Sequence, residues 1–329
     1  MNFEHDVYFL NEYGNLSAIL EKGTSETFEF ENEYGKIRHM FIKREIGEKV
    51  DGETWYDLIT PYGYGGPLIV KYNGKEEYLI ESFFEAFKKY CGKNNIVSEF
   101  IRFHPLAGNG KQFSKIYHSE HDRNTLGTNL AEFDDPVQSE FSKECRKNIR
   151  QALRKGVKYR IDVAPNRIDK FLEIYNETME RNCASGFYYF PKEYFDSLVH
   201  KFRNHLLYAE ATYNGTVISA RLCLIAEGII HIHLSGTLNE YLSLSPEYVL
   251  HYGLTVWGKE NGYKLIHNGG GRTNSVQDTL YRFKKQFAKN TEFPFYIGKK
   301  IWNEDVYKLL CMKRKVDSKM TIFFPAYRG

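Results

Sequence analysis

A mixed α/β fold in two domains is what this sequence predicts, and three observations carry the prediction. Apolar residues alternate with period two in short runs and recur at helical spacing in longer ones, and the two patterns interleave along the chain. Two glycine-rich stretches, residues 61–67 and 268–272, each follow a strand-like run and precede a helix-like one. A length of 329 residues with 42% hydrophobic content suffices for two cores of ordinary size.

In order, residues 6–13 have the pattern of a short helix, and residues 27–30 and 37–46 that of an antiparallel hairpin closed by Asn32-Glu33-Tyr34-Gly35. Residues 55–59 read as a strand that empties into Pro61-Tyr62-Gly63-Tyr64-Gly65-Gly66-Pro67, a turn too rich in glycine for a sheet interior. A helix over 77–90 buries Leu79, Ile80, Phe83, Phe84 and Phe87, and strands at 96–103, 115–121 and 125–132 complete a mixed sheet. Asp135-Pro136 opens a helix that runs to Lys155 before Gly156 ends it. On it Lys143, Lys147, Arg150 and Arg154 share one face, while Phe141, Cys145, Ile149 and Ala152 occupy the other.

The second half continues with a strand at 157–163, helices at 165–182 and 191–203, and a hairpin of 206–213 with 216–225 through Asn214-Gly215. Residues 229–235 alternate Ile230, Ile232 and Leu234 with His231, His233 and Ser235, a half-buried strand. Ser245 as N-cap and Pro246 at the first helical position start a helix with Val249, Leu250, Leu254 and Trp257 on one face, stopped by Asn261-Gly262. A short strand at 264–267 leads into Asn268-Gly269-Gly270-Gly271-Arg272. Thr273-Asn274-Ser275 can cap the next helix, on which Leu280, Phe283 and Phe287 share a face beside Arg282, Lys284 and Lys285. Strand, glycine turn and helix N-terminus together make an anion-friendly pocket. Residues 293–297 close the sheet, and 321–324 return to the first one. The domains so drawn are 1–155 with 299–329, and 156–298.

No apolar run reaches the roughly 18 to 20 residues of a membrane span, and acids stand near the N-terminus where a signal peptide has bases, so a cytoplasmic protein is expected. Five scattered cysteines without CxxC spacing suggest reduced, buried thiols. A net charge of +3 does not by itself mark a nucleic-acid binder, but charge is concentrated on the 135–155 helix. His231 with His233, and His118 with His121, lack a third ligand, so no metal is expected. No Gly-x-Ser-x-Gly elbow occurs.

Two motifs narrow the reading. Arg146-Lys147-Asn148-Ile149-Arg150-x-Ala152-x-Arg154-x-Gly156-Val157 resembles the basic helix joining the halves of the FemABX family, aminoacyl transferases built from tandem GNAT-like domains. Leu280-Tyr281-Arg282-Phe283-Lys284-Lys285-Gln286-Phe287 is similar to that family's signature, in which a lysine follows a phenylalanine, and Gly63 to Pro67 is similar to its first-domain loop. The resemblance implies two tandem GNAT-like domains and transfer of an aminoacyl group from aminoacyl-tRNA to an amine of a cell-envelope precursor such as a peptidoglycan stem peptide. No separate cofactor is required on that reading. The nucleotide- or lipid-linked acceptor makes peripheral association with a membrane compatible with it. The Asn268-Gly269-Gly270-Gly271 turn departs from the Asp-containing version of the family's cross-bridge enzymes, which leaves the acceptor open.

The resemblance gives Lys284 the stabilisation of the tetrahedral oxyanion, with Phe283 anchoring its helix. Substrate contacts are expected from Tyr62, Tyr64, Gly65 and Gly66 in the first loop, from Lys147, Arg150 and Arg154 on the basic helix, and from Gly269, Gly270, Gly271 and Arg272. Each has a plainer alternative: a packed tyrosine loop, a solvated helix face, a tight strand-to-helix connection. Two other functions stay open. One is a coenzyme A-dependent N-acyltransferase acting on a sugar or surface-polysaccharide precursor, though the usual pyrophosphate loop is not evident; the other is a non-catalytic module binding tRNA or a glycan.

Overall fold

The computed structural model describes residues 3–317, 321 and 323–329. It divides into two compact units, one of Tyr8–Asp122 with Pro294–Gly329, the other of Met1–Val7 with Arg123–Phe293. The expected boundary at 155 therefore falls at 122, and the basic helix belongs with the second half.

Single turns of 3₁₀ helix at Phe3–His5 and Val7–Phe9 precede α1, Asn11–Glu21, so the first helix begins later and runs longer than expected. Strands β1 (Thr24–Asn32) and β2 (Gly35–Glu45) form the hairpin, in register from Thr24 with Lys43 to Asn32 with Gly35. After β3 (Tyr56–Ile59) and the glycine-tyrosine turn comes β4 (Leu68–Tyr72), a short strand absent from the sequence reading, which pairs with β2. Helix α2 (Glu76–Lys93) lays Leu79, Phe83, Phe87 and Cys91 on Phe41, Ile96 and Ile101, and β5 (Ile96–Arg102) runs parallel to β3. After α3 (Asn109–Gln112), the strand expected at 115–121 is helical over its first three residues, in α4 (Ser114–Tyr117), and extended only from Glu120. Phe113, Ile116 and Tyr117 are all buried, a spacing of three and four that fits a helical turn better than a period of two.

Strand β6 (Glu120–Asn129) enters the second unit at Arg123. The single helix expected over 135–155 is two, α5 (Pro136–Glu140) and α6 (Lys143–Arg154). Phe141 turns out of the helix into the core, and Ser142 restarts it, its Oγ accepting from Cys145 N at 3.0 Å. There follow β7 (Lys158–Val163), α7 (Asp169–Arg181), α8 (Lys192–His200), β8 (Leu206–Tyr213), β9 (Thr216–Ala226), β10 (Ile229–Thr237), α9 (Pro246–Glu260), β11 (Leu265–Gly269) and α10 (Thr279–Lys285). The strands of this unit lie in the order β6-β11-β10-β9-β8-β7, and of these pairings only β10 with β11 is parallel.

Asn214-Gly215 and Glu227-Gly228 turn the two hairpins with positive φ at both residues, 49° and 82° in the first, as a two-residue loop between right-twisted strands requires. Helix α9 packs Val249, Leu250 and Leu254 on Ile218, Ile230 and Ile266. Ser245 holds the N-cap position but in the left-handed region, φ 54°, where its side chain makes no capping bond; its carbonyl accepts from Tyr248 N instead.

Back in the first unit, β12 (Glu292–Ile301) pairs antiparallel with β5 from Ile297 with Arg102 to Ile301 with Ser98. Helix α11 (Glu304–Arg314), unexpected from sequence, packs Val306, Tyr307 and Leu310 on Val97 and Tyr327. Of the segment 321–324, Ile322 lies outside the described residues, and Thr321, Phe323 and Phe324 are not in a strand. Cys91, Cys145, Cys223 and Cys311 are buried thiols, but Cys183 is exposed, on the irregular stretch after α7. No helix among the described residues is long and apolar enough to cross a membrane.

Candidate active site

The second unit opens where its two parallel strands part. Pairing between β10 and β11 runs from Ile229 with Leu265 to His231 with His267 and ends there. Beyond that point β10 bulges against β9 at residues 232–234, and β11 bulges against β6 at 267–269. A bulge inserts a residue and bends its strand, so the two backbones leave their common ladder.

Lys284 lies beside this opening. Its Nζ donates to the Gly270 carbonyl at 2.8 Å, tying α10 back to the turn that precedes it. Burial of the ammonium, with Arg221 and Arg123 nearby, pulls its pKa down to about 8, Asp278 opposing. Lys285 is engaged elsewhere, with the Glu292 carboxylate. Phe283 is half-buried and packs edge-on against Tyr248 and Phe287, with ring centroids 5.5 and 5.3 Å away. Phe287, fully buried, stands just past the helix and holds it in place.

The turn itself is filled by the protein. Gly269 has φ 68°, which favours glycine. A Cβ at Gly270 would sit 3.0 Å from the Arg123 side chain, and one at Gly271 only 2.7 Å from Asp278 Oδ1. The close approach that needs glycine at these two positions is therefore made by the chain's own groups. Asp278, not Thr273 to Ser275, caps α10 through Tyr281 N at 2.9 Å, and its other oxygen accepts from the amides of Arg272 and Thr273 at 3.1 and 3.0 Å. The anion expected at this helix N-terminus is the Asp278 carboxylate. Burial raises its pKa, but these hydrogen bonds outweigh that and hold it below the usual value. The Arg272 residue is exposed.

Behind Lys284 stands a buried polar network that the sequence reading did not single out. Arg221, 3% exposed on β9, donates to Glu247 Oε2 at 2.5 Å and to Ser235 Oγ at 2.9 Å, and contacts His251 Nδ1 at 3.2 Å. His251 Nε2 meets Thr128 Oγ1 at 2.9 Å, and Asn268 Nδ2 reaches the same oxygen at 3.4 Å. Burial and Arg221 keep the His251 pKa well below its ordinary value, so the imidazole is neutral. The signal in the sequence was a charge inside the apolar run of β9 and a histidine between Leu250 and Leu254 on the buried face of α9.

His231 and His233 diverge. His231 Nε2 contacts Asp6 Oδ2 at 2.8 Å and its Nδ1 faces His267 Nδ1 at 3.3 Å, whereas His233 Nε2 meets the Tyr194 hydroxyl at 2.6 Å and is pushed down to about 3 by burial and by His231.

The basic helix and α10 share a core. Cys145 and Ile149 of α6 pack with Phe141, Phe283 and Phe287, while Lys143, Lys147, Arg150 and Arg154 are all exposed on the opposite side. Ser142 N donates to Gln286 O at 2.8 Å, and Glu140 receives Asn290 N at 2.9 Å and the Thr291 hydroxyl. Lys147 also lies 3.5 Å from Glu144, an exposed pair of little energetic weight.

In the first unit the tyrosine loop is pinned from several sides. Gly66 has φ 86°, and Gly65 O accepts from His104 N at 3.1 Å and from Asn109 Nδ2 at 2.8 Å. Tyr64 is enclosed by Tyr8, His104 and Phe295, with centroids 5.2, 5.9 and 5.4 Å away, and the Tyr62 carbonyl accepts from Tyr13 Oη at 2.6 Å. A cavity of about 660 Å³ in this unit is lined instead by α2 residues such as Glu77, Glu81 and Phe84 with Lys115 and Lys300.

A search by sequence among curated proteins finds no match. A family model described as an acetyltransferase (GNAT) domain matches residues 139–285. Among solved structures, FemX superposes with a TM-score of 0.67 at 15% identity, over 91% of this chain and 93% of that one. The C-terminal domain (DUF2156) of a proposed lysylphosphatidylglycerol synthetase from Agrobacterium fabrum gives 0.57 at 13% identity, over 90% of each chain. L-PGS from Bacillus licheniformis gives 0.54 at 16%, over 91% of this chain and 95% of that one. Residues 139–285 thus match an acetyltransferase (GNAT) domain, and the chain as a whole has the fold of FemX, two tandem GNAT-like domains.

Proposed function

We propose that this protein moves an aminoacyl group from aminoacyl-tRNA to an amine of a cell-envelope precursor in the cytoplasm, with Lys284 as the oxyanion-stabilising cation. The observation that carries the reading is the Lys284 ammonium itself, withdrawn from solvent and fixed by the Gly270 carbonyl. An ammonium has three hydrogens, and Gly270 takes one. In the step proposed, the acceptor amine forms a bond to the ester carbonyl carbon, and the carbonyl electrons move to oxygen, where Lys284 donates to the oxyanion. The carbon–oxygen bond to the ribose then breaks, and the leaving hydroxyl takes up the proton that the amine nitrogen gives up. A positioned donor of this kind contributes roughly 3 to 4 kcal/mol.

The exposed row of Lys147, Arg150 and Arg154 suits tRNA phosphates. FemX and the two synthetase-related structures share the fold, and the name lysylphosphatidylglycerol synthetase denotes a product in which an amino acid is joined to a membrane lipid. That supports a cell-envelope acceptor, a stem peptide or a lipid headgroup. A second reading, transfer from acyl-coenzyme A, is favoured by the acetyltransferase description of the matching family model. The test supplies labelled amino acids, a tRNA charging system and acceptors of both classes. Ribonuclease abolishes transfer on the first reading; ribonuclease-insensitive transfer from acetyl-coenzyme A establishes the second. Binding of tRNA or glycan without turnover from either donor leaves a non-catalytic module.

A further inference from the structure

The hydrogen bonds behind Lys284 have a fixed direction. Arg221 can only donate, so its 3.2 Å contact with His251 Nδ1 makes that nitrogen the acceptor and puts the imidazole proton on Nε2. Nε2 then donates to Thr128 Oγ1 at 2.9 Å, and the Thr128 hydroxyl hydrogen goes to the Phe287 carbonyl at 2.8 Å. With that hydrogen committed, Asn268 can meet Thr128 only through its Nδ2, at 3.4 Å. Turned over, the amide would set its oxygen against a hydroxyl with no hydrogen left to give. Asn268 Oδ1 is thus left as an acceptor on a residue 2% exposed, with no partner among the described residues. A buried acceptor left unpaired carries its full desolvation cost, and a bound ligand that donates to it removes that cost.

Position says what the ligand is. Asn268 is the first residue of β11 past its pairing with β10, two residues before the Gly270 carbonyl that holds Lys284 Nζ. Near that ammonium stand the cations Arg221 and Arg123, suited to the oxygens of an acyl donor and its carrier, and the Asp278 carboxylate, whose oxygens already accept from the Tyr281, Arg272 and Thr273 amides. A carbonyl acceptor among them suits the reactant that brings N–H bonds. We propose that Asn268 Oδ1 accepts a hydrogen from the attacking amine of the acyl acceptor and so turns its lone pair toward the acyl carbon. This rests on the acyl-transfer reading and adds a positioning residue for the nucleophile, set in orientation by the Arg221–His251–Thr128 relay.

The experiment compares wild type, Asn268→Ala, Asn268→Asp and Lys284→Met in transfer to an amine acceptor, varying donor and acceptor separately. The expected result for Asn268→Ala is a loss of roughly 10- to 100-fold in acceptor kcat/KM, with donor KM within twofold and an unchanged melting temperature. Asn268→Asp, which keeps an acceptor oxygen but sets a second one against the Thr128 hydroxyl, restores only part of the loss. Unchanged acceptor kinetics in Asn268→Ala, or a defect confined to donor KM, overturns the assignment. Wild type and Lys284→Met separate the two claims: no transfer by wild type from either donor removes the transfer reading itself, whereas transfer by wild type that Lys284→Met loses and Asn268→Ala keeps removes this inference alone. Should the alanine variant not fold, side-chain amide resonances of ¹⁵N-asparagine-labelled wild type are followed as n-butylammonium is added, Asn268→Asp giving the assignment. A saturable shift of the Asn268 amide that butyrate does not produce supports the proposal; no shift, or the same shift with butyrate, overturns it.

Discussion

On the proposed mechanism, Lys284 couples the chemistry to pH. Its pKa of about 8 lies below that of an ordinary lysine because the ammonium is buried near Arg221 and Arg123. Since transition-state stabilisation needs the protonated form, turnover should fall as pH rises through about 8, after any rise caused by deprotonation of the acceptor amine. Lys284→Arg keeps its charge at every accessible pH, so the alkaline limb should vanish from whatever activity that variant retains; a limb that stays in place assigns it to another group. In folding the sign runs the other way. The depressed pKa means that the unfolded chain binds more protons between about 8 and the ordinary lysine value, so the cost of burying the charge is full below about 8 and is relieved as pH rises through that window.

A motif pointed to Lys284 in the sequence, whereas the contacts of Arg221 and Asn268 were not legible there, because they depend on partners far along the chain. Arg221 and His251 are thirty residues apart, and Asn268 and Thr128 one hundred and forty. No local periodicity encodes such a network.

Among the elements, the segment 268–285 is held together chiefly by one carboxylate. Asp278 caps α10 and gathers the Arg272 and Thr273 amides, so Asp278→Ala should cost about 1 to 2 kcal/mol of stability. It should also lower turnover by loosening the turn whose carbonyl fixes Lys284. Because hydrogen bonding depresses this carboxyl's pKa, its contribution is complete at neutral pH and is lost as pH falls through the folded value, so wild type and variant should converge in stability in acid. Urea titrations at neutral and acid pH measure both.

The basic helix invites a different measurement. Its buried face is fixed by Phe283 and Phe287, and its cationic face stays in water. Arg150→Glu with Arg154→Glu should therefore leave the melting temperature unchanged, weaken tRNA binding strongly at low salt and weaken it less at high salt. Equal affinity at all salts for every tRNA, nucleotide and lipid-linked ligand tried would return that face to plain solvation. The helix pattern itself was clear in the sequence. Its interruption was not, because Phe141 has the spacing of a helix residue, and only the packing of its ring on Phe287, with centroids 5.4 Å apart, draws it out.

At the scale of the whole chain, the alternation of strands and helices and the two glycine turns identified the fold class, and the hairpins came out at their expected residues because Asn214-Gly215 and Glu227-Gly228 dictate their own geometry. The division into units was harder to see. Strand β6 pairs with β11 from Leu126 to Asn129, and α5 and α6 follow it into the same core, so residues 123–155 join a unit whose other strands lie far downstream. Long-range pairing of this kind leaves no local trace. It also brings the basic helix, the parted strands β10 and β11, and α10 into one folded unit, residues 123–293. On the proposed function, acyl transfer is carried out by that unit through Lys284. The most direct measurement is single-turnover transfer from charged tRNA by wild type, Lys284→Met and Lys285→Met at equal, saturating acceptor. The account predicts a rate lower by roughly 10² to 10³ for Lys284→Met with its fold intact, and an unchanged rate for Lys285→Met, whose lysine pairs with Glu292. A wild-type rate from the Lys284→Met protein would contradict it.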